Sequence, residues 1–97
     1  MTKGSIKTSA LRIIKKEAEA IGGLEVFIND HFVLAVETIA ACKGKLVISG
    51  VGKSAIIAQK IVATLHSTGT PSAFMHAGDA IHVDLGLVGE YDIVLLI

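Results

Sequence analysis

The sequence has one cysteine, no excess of either charge, few aromatic residues and no long apolar run, and each shortage removes a class of protein. A lone Cys42 excludes an intrachain disulfide and a cysteine-rich zinc site, and fits a reducing compartment. Nine basic and nine acidic side chains cancel to a formal charge of zero. No net field is then available to attract nucleic acid or an anionic membrane. Charges interrupt every apolar stretch well before the roughly 20 residues that cross a bilayer. Lys3 and Lys7 are not followed directly by an apolar segment, so the start does not read as a signal peptide. The expectation is a cytoplasmic protein with no nucleic-acid or membrane partner.

What the chain has in quantity is aliphatic side chains: 52% of its 97 residues are hydrophobic and only 4% aromatic. A chain of this size buries only about 60–68% of the surface its unfolded form exposes. Helix faces shared between subunits are the natural place for the excess. Leu11, Ile14, Ala18 and Ile21 recur at helical spacing, Thr8 or Ser9 can cap the helix start, and Gly22–Gly23 ends it or marks a tight break. A second helix is predicted from about Leu24 to Cys42. Its stripe is Leu24, Ile28, Phe32, Ala35 and Ile39, but Val26, Phe27, Val33, Leu34 and Val36 make it apolar nearly all round. Burial against both a sheet and another subunit is expected. Lys43–Gly44–Lys45 then supplies a terminating glycine and two cations near the negative helix end.

From Leu46 the pattern changes. Leu46–Val47–Ile48 reads as a buried strand, and Lys53 onward as a helix with Ala58, Ile61, Val62 and Leu65 on one stripe. Gly69, Thr70 and Pro71 stop that helix. Ser72–Met75 is a second short strand, residues 79–85 a short helix or loop, and Asp92–Ile97 a third strand. An aliphatic run with no cap or polar tail reads as a point inside a longer domain. Continuous apolar strands separated by helices fit parallel strands covered on both faces. Ligands of such sheets lie beyond the C-terminal ends of the strands, which selects Ser49–Ser54 and His76–Asp84.

The first of these places is Ser49-Gly50-Val51-Gly52-Lys53-Ser54, a strand-to-helix turn. Glycines there admit backbone angles closed to other residues, and the helix start offers unpaired N–H groups to an anion. A nucleotide P-loop would need glycine at position 47, where the sequence has Val47. A dinucleotide fingerprint would accept Ala55, but no acidic residue about 20 positions on is evident to hold a ribose. A tight structural turn remains the plain alternative for Gly50 and Gly52. Lys53 weighs against it, because a cation is unfavourable against the dipole of a first helical turn unless it serves an anion. Ser54 reads as a cap or first-turn hydrogen-bonding residue ahead of a nucleophile.

The second place holds His76, Asp79, His82 and Asp84. Their spacing is not diagnostic of a metal, and acid–base use suits imidazoles better. His31 reads as a packed or interface residue, His66 as helix surface and Cys42 as inert packing. His76, directly after a strand, is open between structural and ligand roles. His82 is the best ligand-facing candidate, with Asp84 free to orient it, cap a turn or meet a neighbouring subunit.

The segments Ser49–Ser54, Ile57–Ile61, Ala63–Pro71 and His76 through His82-Val-Asp-Leu-Gly86 resemble the sugar isomerase (SIS) domain of arabinose-5-phosphate isomerases. Glu17–Ile21, Phe32, Ala35–Glu37 and Ala41–Gly44 are similar to that family's N-terminal helices, so the resemblance covers nearly the whole chain. It implies a three-layer α/β sandwich with a parallel sheet, truncated here after the third strand. Residues 1–44 would be interface and sheet-packing helices, and residues 45–97 the first part of the SIS domain. It further implies interconversion of D-arabinose 5-phosphate and D-ribulose 5-phosphate for Kdo synthesis, a phosphorylated pentose as partner, a homotetramer, and no required metal or cofactor.

By the same resemblance Lys53 and His82 match catalytic positions, while Ser49, Gly50, Gly52, Ser54, His76 and Asp84 are candidates to line the substrate. The family's serine-rich phosphate loop would follow residue 97. Three residues depart from its pattern: Ala55 and Ile56 stand where Gly-His is usual, and Val83 where glycine is usual. These departures leave a second expectation open, a phosphosugar-binding or sensing module without catalysis.

Overall fold

Helix α1 runs Lys3–Gly22 in the computed structural model, which describes residues 1–78 and 85–97. It starts a turn and a half before the expected cap. Thr2, and neither Thr8 nor Ser9, holds its N-terminus: Ser5 N donates to Thr2 Oγ1 at 3.1 Å and Thr2 N to Ser5 Oγ at 3.1 Å. The reciprocal pair satisfies two of the donors a helix start leaves unpaired. A serine in the place usually taken by Glu or Gln hid this box in the sequence.

The Gly22–Gly23 pair ends α1, but the expected second helix is not continuous. A 3-10 turn occupies Gly23–Phe27, and α2 spans only Asp30–Ala40. The cause is Asn29, whose Oδ1 accepts from Phe32 N at 3.1 Å and so begins a new helix. Local capping overrode a periodicity that carries straight through it. The apolar residues of α2 are not buried within this chain either, since Phe32, Val33, Leu34 and Val36 are 47–60% exposed. His31, read as a packed or interface residue, is not packed within this chain, where it is exposed. Two units divide the chain, Met1–Val36 and Glu37–Ile97.

Within the second unit, β1 (Leu46–Gly50), β2 (Ser72–His76) and β3 (Ile93–Leu96) form a parallel sheet of order β2-β1-β3. Helix α3 (Lys53–Ser67) connects β1 to β2. The aliphatic strands, read as a parallel α/β sheet, are therefore where the sequence placed them. β1 is central and fully buried, whereas Leu96 of β3 is 75% exposed. The core gathers Leu46 and Ile48 of β1 with Ala58 and Val62 of α3, and Ile39, Ile61, Leu65, Phe74 and Ile93 pack around it. Burying a side chain such as Ile48 favours folding by about 1.5–3 kcal/mol.

The Lys43–Lys45 segment does not cap α2, which ends at Ala40. Lys45 instead joins the two strand starts at the N-terminal edge of the sheet. Its Nζ lies 2.7 Å from Asp92 Oδ2, its backbone N donates to Asp92 Oδ1 at 2.8 Å, and Gly89 N donates to Asp92 Oδ2 at 2.6 Å. Cys42 is half-buried beside this clamp, with Sγ 3.3 Å from the Tyr91 carbonyl oxygen. His66 is on the helix surface but not idle, since its Nε2 lies 2.6 Å from the Ser72 carbonyl oxygen and ties the end of α3 to the start of β2.

Candidate functional site

Parallel pairing brings the C-terminal ends of the strands to one edge. Gly50 pairs with His76, Ala77 N donates to the Gly50 carbonyl at 3.3 Å, and Ile97 N donates to the Ser49 carbonyl at 2.9 Å. Ser49, Gly50 and His76 thus share the edge at which the glycine turn leaves β1.

The turn depends on its glycines for two different reasons. Gly52 has φ 58° and ψ −128°, a backbone state closed to side-chain-bearing residues. Gly50 is hemmed in: a Cβ there would lie 3.1 Å from Ser54 Cβ and 3.2 Å from Ala55 N. The absence of a side chain lets the first turn of α3 close onto the end of β1.

Gly52 is also the N-cap of α3, and no side chain caps that end. Ala55 N is satisfied by the carbonyls of Val51 and Gly52 at 3.4 and 3.2 Å. Ser54, half-buried, does not cap the helix, contrary to one of the roles its position offered. The helix start therefore presents backbone N–H groups and the positive dipole end outward, with Lys53 exposed on its first residue. Lys53 forms no ion pair with a described residue. An ammonium with no ion pair among the described residues, beside a helix start without a side-chain cap, is electrostatically suited to an anion or to an oxygen that gains charge.

Ser49 is 1% exposed, and its hydroxyl has no hydrogen-bond partner among the described residues. His76 is half-buried, makes an edge-on contact with the Phe74 ring at 6.3 Å, and accepts a hydrogen bond at Nδ1 from Gly78 N at 3.1 Å. Sequence reasoning did not single out Ala77 or Gly78. The useful signal was a glycine two residues after a strand-terminal histidine, close enough for its amide to meet the imidazole. His82, Asp84 and Asp79 lie outside the described residues, as does the departure at Val83. Of the other departures, Ala55 is buried and Ile56 is 67% exposed next to the turn. Among the described residues, no group of three or more His, Cys, Asp or Glu side chains is arranged to hold a metal ion, and no helix is long and apolar enough to cross a membrane.

Comparison with known proteins places this geometry. The SIS domain family matches residues 39–97. The chain belongs to the SIS-domain family. This SIS chain is 47% identical over 85 residues to the arabinose 5-phosphate isomerase KdsD of Escherichia coli strain K12, covering 88% of the chain and 26% of that protein. It is 46% identical over 86 residues to the Yersinia pestis KdsD, covering 89% of the chain and 26% of the relative. Among solved structures, it superposes with a TM-score of 0.87 on c3406 of E. coli CFT073 in complex with arabinose 5-phosphate, at 39% identity, covering 99% of the chain and 51% of c3406. A Listeria monocytogenes protein assigned as a sugar-phosphate isomerase gives a TM-score of 0.90 at 34% identity, again over 99% of this chain and 51% of its own. The SIS chain thus spans about a quarter of the length of the curated relatives and half that of the solved chains. The resemblance read from Ser49–Ser54 and the later segments is borne out at the level of family and fold.

Proposed function

We propose that the full-length protein is an aldose–ketose isomerase that interconverts D-arabinose 5-phosphate and D-ribulose 5-phosphate. The observation that carries this reading is the uncapped start of α3, held against the end of β1 by Gly50 and Gly52, with Lys53 exposed upon it. Similarity to the KdsD enzymes and to a structure in complex with arabinose 5-phosphate supports the choice of substrate.

The reaction opens the sugar ring, removes the proton at C2 of the aldose, and returns a proton to C1 through an enediolate. Negative charge grows on the oxygens of that intermediate. Lys53 supplies positive charge there without a reorganisation step, which is how a fixed cation lowers such a barrier. His82 serves ring opening or substrate binding. Ser49, Gly50, Gly52, Ser54, His76 and Asp84 shape or line the same pocket, and a serine-rich loop after residue 97 grips the phosphate. The enzyme works without a metal, as a cytoplasmic homotetramer, and its product supplies Kdo synthesis.

Turnover of arabinose 5-phosphate by the full-length protein tests this directly. Lys53→Ala is expected to lower kcat by about tenfold or more with the fold retained, because an interaction specific to the transition state is removed. Parent-like turnover in that variant removes Lys53 from the site. The second reading, a phosphosugar sensor, draws on Ile56, an exposed apolar side chain where the family pattern has a polar one. It predicts saturable binding of arabinose 5-phosphate with no ribulose 5-phosphate formed.

A further inference from the structure

His76 is joined to the glycine turn through backbone that the sequence alone did not connect. Its strand pairs it with Gly50, and the next residue, Ala77, donates its N–H to the Gly50 carbonyl at 3.3 Å. One residue further, Gly78 donates its N–H to His76 Nδ1 at 3.1 Å. The imidazole therefore closes a small ring of contacts around the Ala77 amide, and that amide is the link between the end of β2 and the turn that carries Lys53.

Two features show that this closure is built into the chain. A Cβ at Gly78 would lie 3.1 Å from both Nδ1 and Cε1 of His76, so a side chain at residue 78 would press the imidazole away from the amide it now meets. The His76 ring is also braced edge-on by Phe74, 6.3 Å away between centroids. A nitrogen that accepts this bond carries no proton, which leaves Nε2 as the ring nitrogen to bear one.

We propose that His76 is a positioning residue for the isomerase site: its unprotonated Nδ1 fixes the Ala77–Gly78 turn and, through the Ala77–Gly50 hydrogen bond, the backbone that places Lys53. This role rests on the isomerase reading and deepens it by assigning Nδ1 to the backbone and not to the sugar. It also separates the two ring nitrogens, which a general label of substrate-binding residue leaves equivalent.

Isosteric substitution of the full-length protein tests the assignment. The Oδ1 of asparagine falls where His Nδ1 lies and can accept from Gly78 N, whereas the Nε2 of glutamine falls where His Nε2 lies and leaves Nδ1 unreplaced. His76→Ala and His76→Gln should each lose about tenfold or more in kcat with arabinose 5-phosphate, with KM changed less, because the displaced Lys53 acts on charge that develops in the transition state. His76→Asn should recover most of that loss. Recovery by glutamine and not by asparagine would overturn the proposal, since the ring would then act through Nε2. So would equal loss in all three variants.

A second measurement needs no substrate. With 15N-labelled histidine, the His76 imidazole signals, identified by their absence in His76→Asn, should show an unprotonated Nδ1 and a protonated Nε2 at neutral pH. A protonated Nδ1, or an average of both forms, overturns the proposal. Absence of turnover in the parent protein would sink the isomerase reading instead, and the imidazole spectrum would still decide the state of Nδ1.

Discussion

Asp92 shows how much one carboxylate can organise when it sits where two strands begin. It accepts from Lys45 N, Lys45 Nζ and Gly89 N, and its side chain is only 6% exposed. The hydrogen bond from the Lys45 side chain, then the backbone bonds from Lys45 and Gly89, lower its pKa from 3.8 to about 2. A carboxylate whose pKa falls on folding adds stability that is fully present above its unfolded value. That stability is lost as pH drops from about 4 towards about 2. Asp92→Asn should lower the melting temperature at neutral pH and flatten its decline over this acid window, as thermal unfolding against pH will show. An equally steep acid decline in the variant would assign that pH dependence to other carboxylates. Gly44 belongs to the same clamp. A Cβ there would collide with Asp92 Oδ1 and lie 2.8 Å from the Tyr91 carbonyl. Gly44→Ala is expected to destabilise by about 1–3 kcal/mol, the usual range for forced overpacking, measurable by denaturant unfolding. Neither role was legible beforehand. The sequence shows Lys43–Gly44–Lys45 beside a helix, and a local rule assigned them to its end; their partner is 47 positions away from Lys45.

At the scale of elements, legibility followed the range of the forces involved. Leu46–Ile48, Ser72–Met75 and the aliphatic run ending at Ile97 announced strands because burial on two faces demands continuous apolar residues. Helix α3 announced itself through Ala58, Ile61, Val62 and Leu65, all of which form or flank the core opposite Leu46 and Ile48, with Ala58 wholly buried within it. The break at Asn29 was missed because one side-chain cap outweighs a smooth hydrophobic stripe. The register linking Gly50 to His76 could not be read from either segment separately. The turn between β1 and α3 was read well, since paired glycines before a helix carry a steric meaning of their own. Gly52→Ala tests that meaning. Its φ of 58° with ψ of −128° makes a side chain costly by about 1–3 kcal/mol. The strain can be relieved by rotating the first turn of α3, which moves Lys53. Gly52→Ala should therefore lower stability by that amount and kcat/KM by about tenfold or more, read from unfolding curves and steady-state kinetics. Lost stability with unchanged kinetics would show that Lys53 keeps its place without the glycine.

For the whole molecule, the outstanding quantity is apolar surface. No residue from 1 to 36 is buried, and Leu11, Ile14 and Ile21, the stripe read from the sequence of α1, are 64–68% exposed. Burying a leucine or isoleucine side chain favours association by about 1.5–3 kcal/mol, so a stripe of this kind is a substantial drive for a subunit interface. The proposed tetramer gives that surface a place. Leu11→Glu with Ile14→Glu removes two such side chains and sets two carboxylates in their stead, a loss of roughly 3–6 kcal/mol before any penalty for the charges. At about 1.4 kcal/mol per tenfold, the dissociation constant of the full-length assembly should rise at least about a hundredfold. Sedimentation velocity across a concentration series reads this as smaller species at concentrations where the parent is fully assembled. Because both substitutions lie within α1 and outside β1, α3 and β2, far-UV circular dichroism should stay parent-like. An unchanged sedimentation profile would show that the apolar stripe of α1 lies outside the subunit interface.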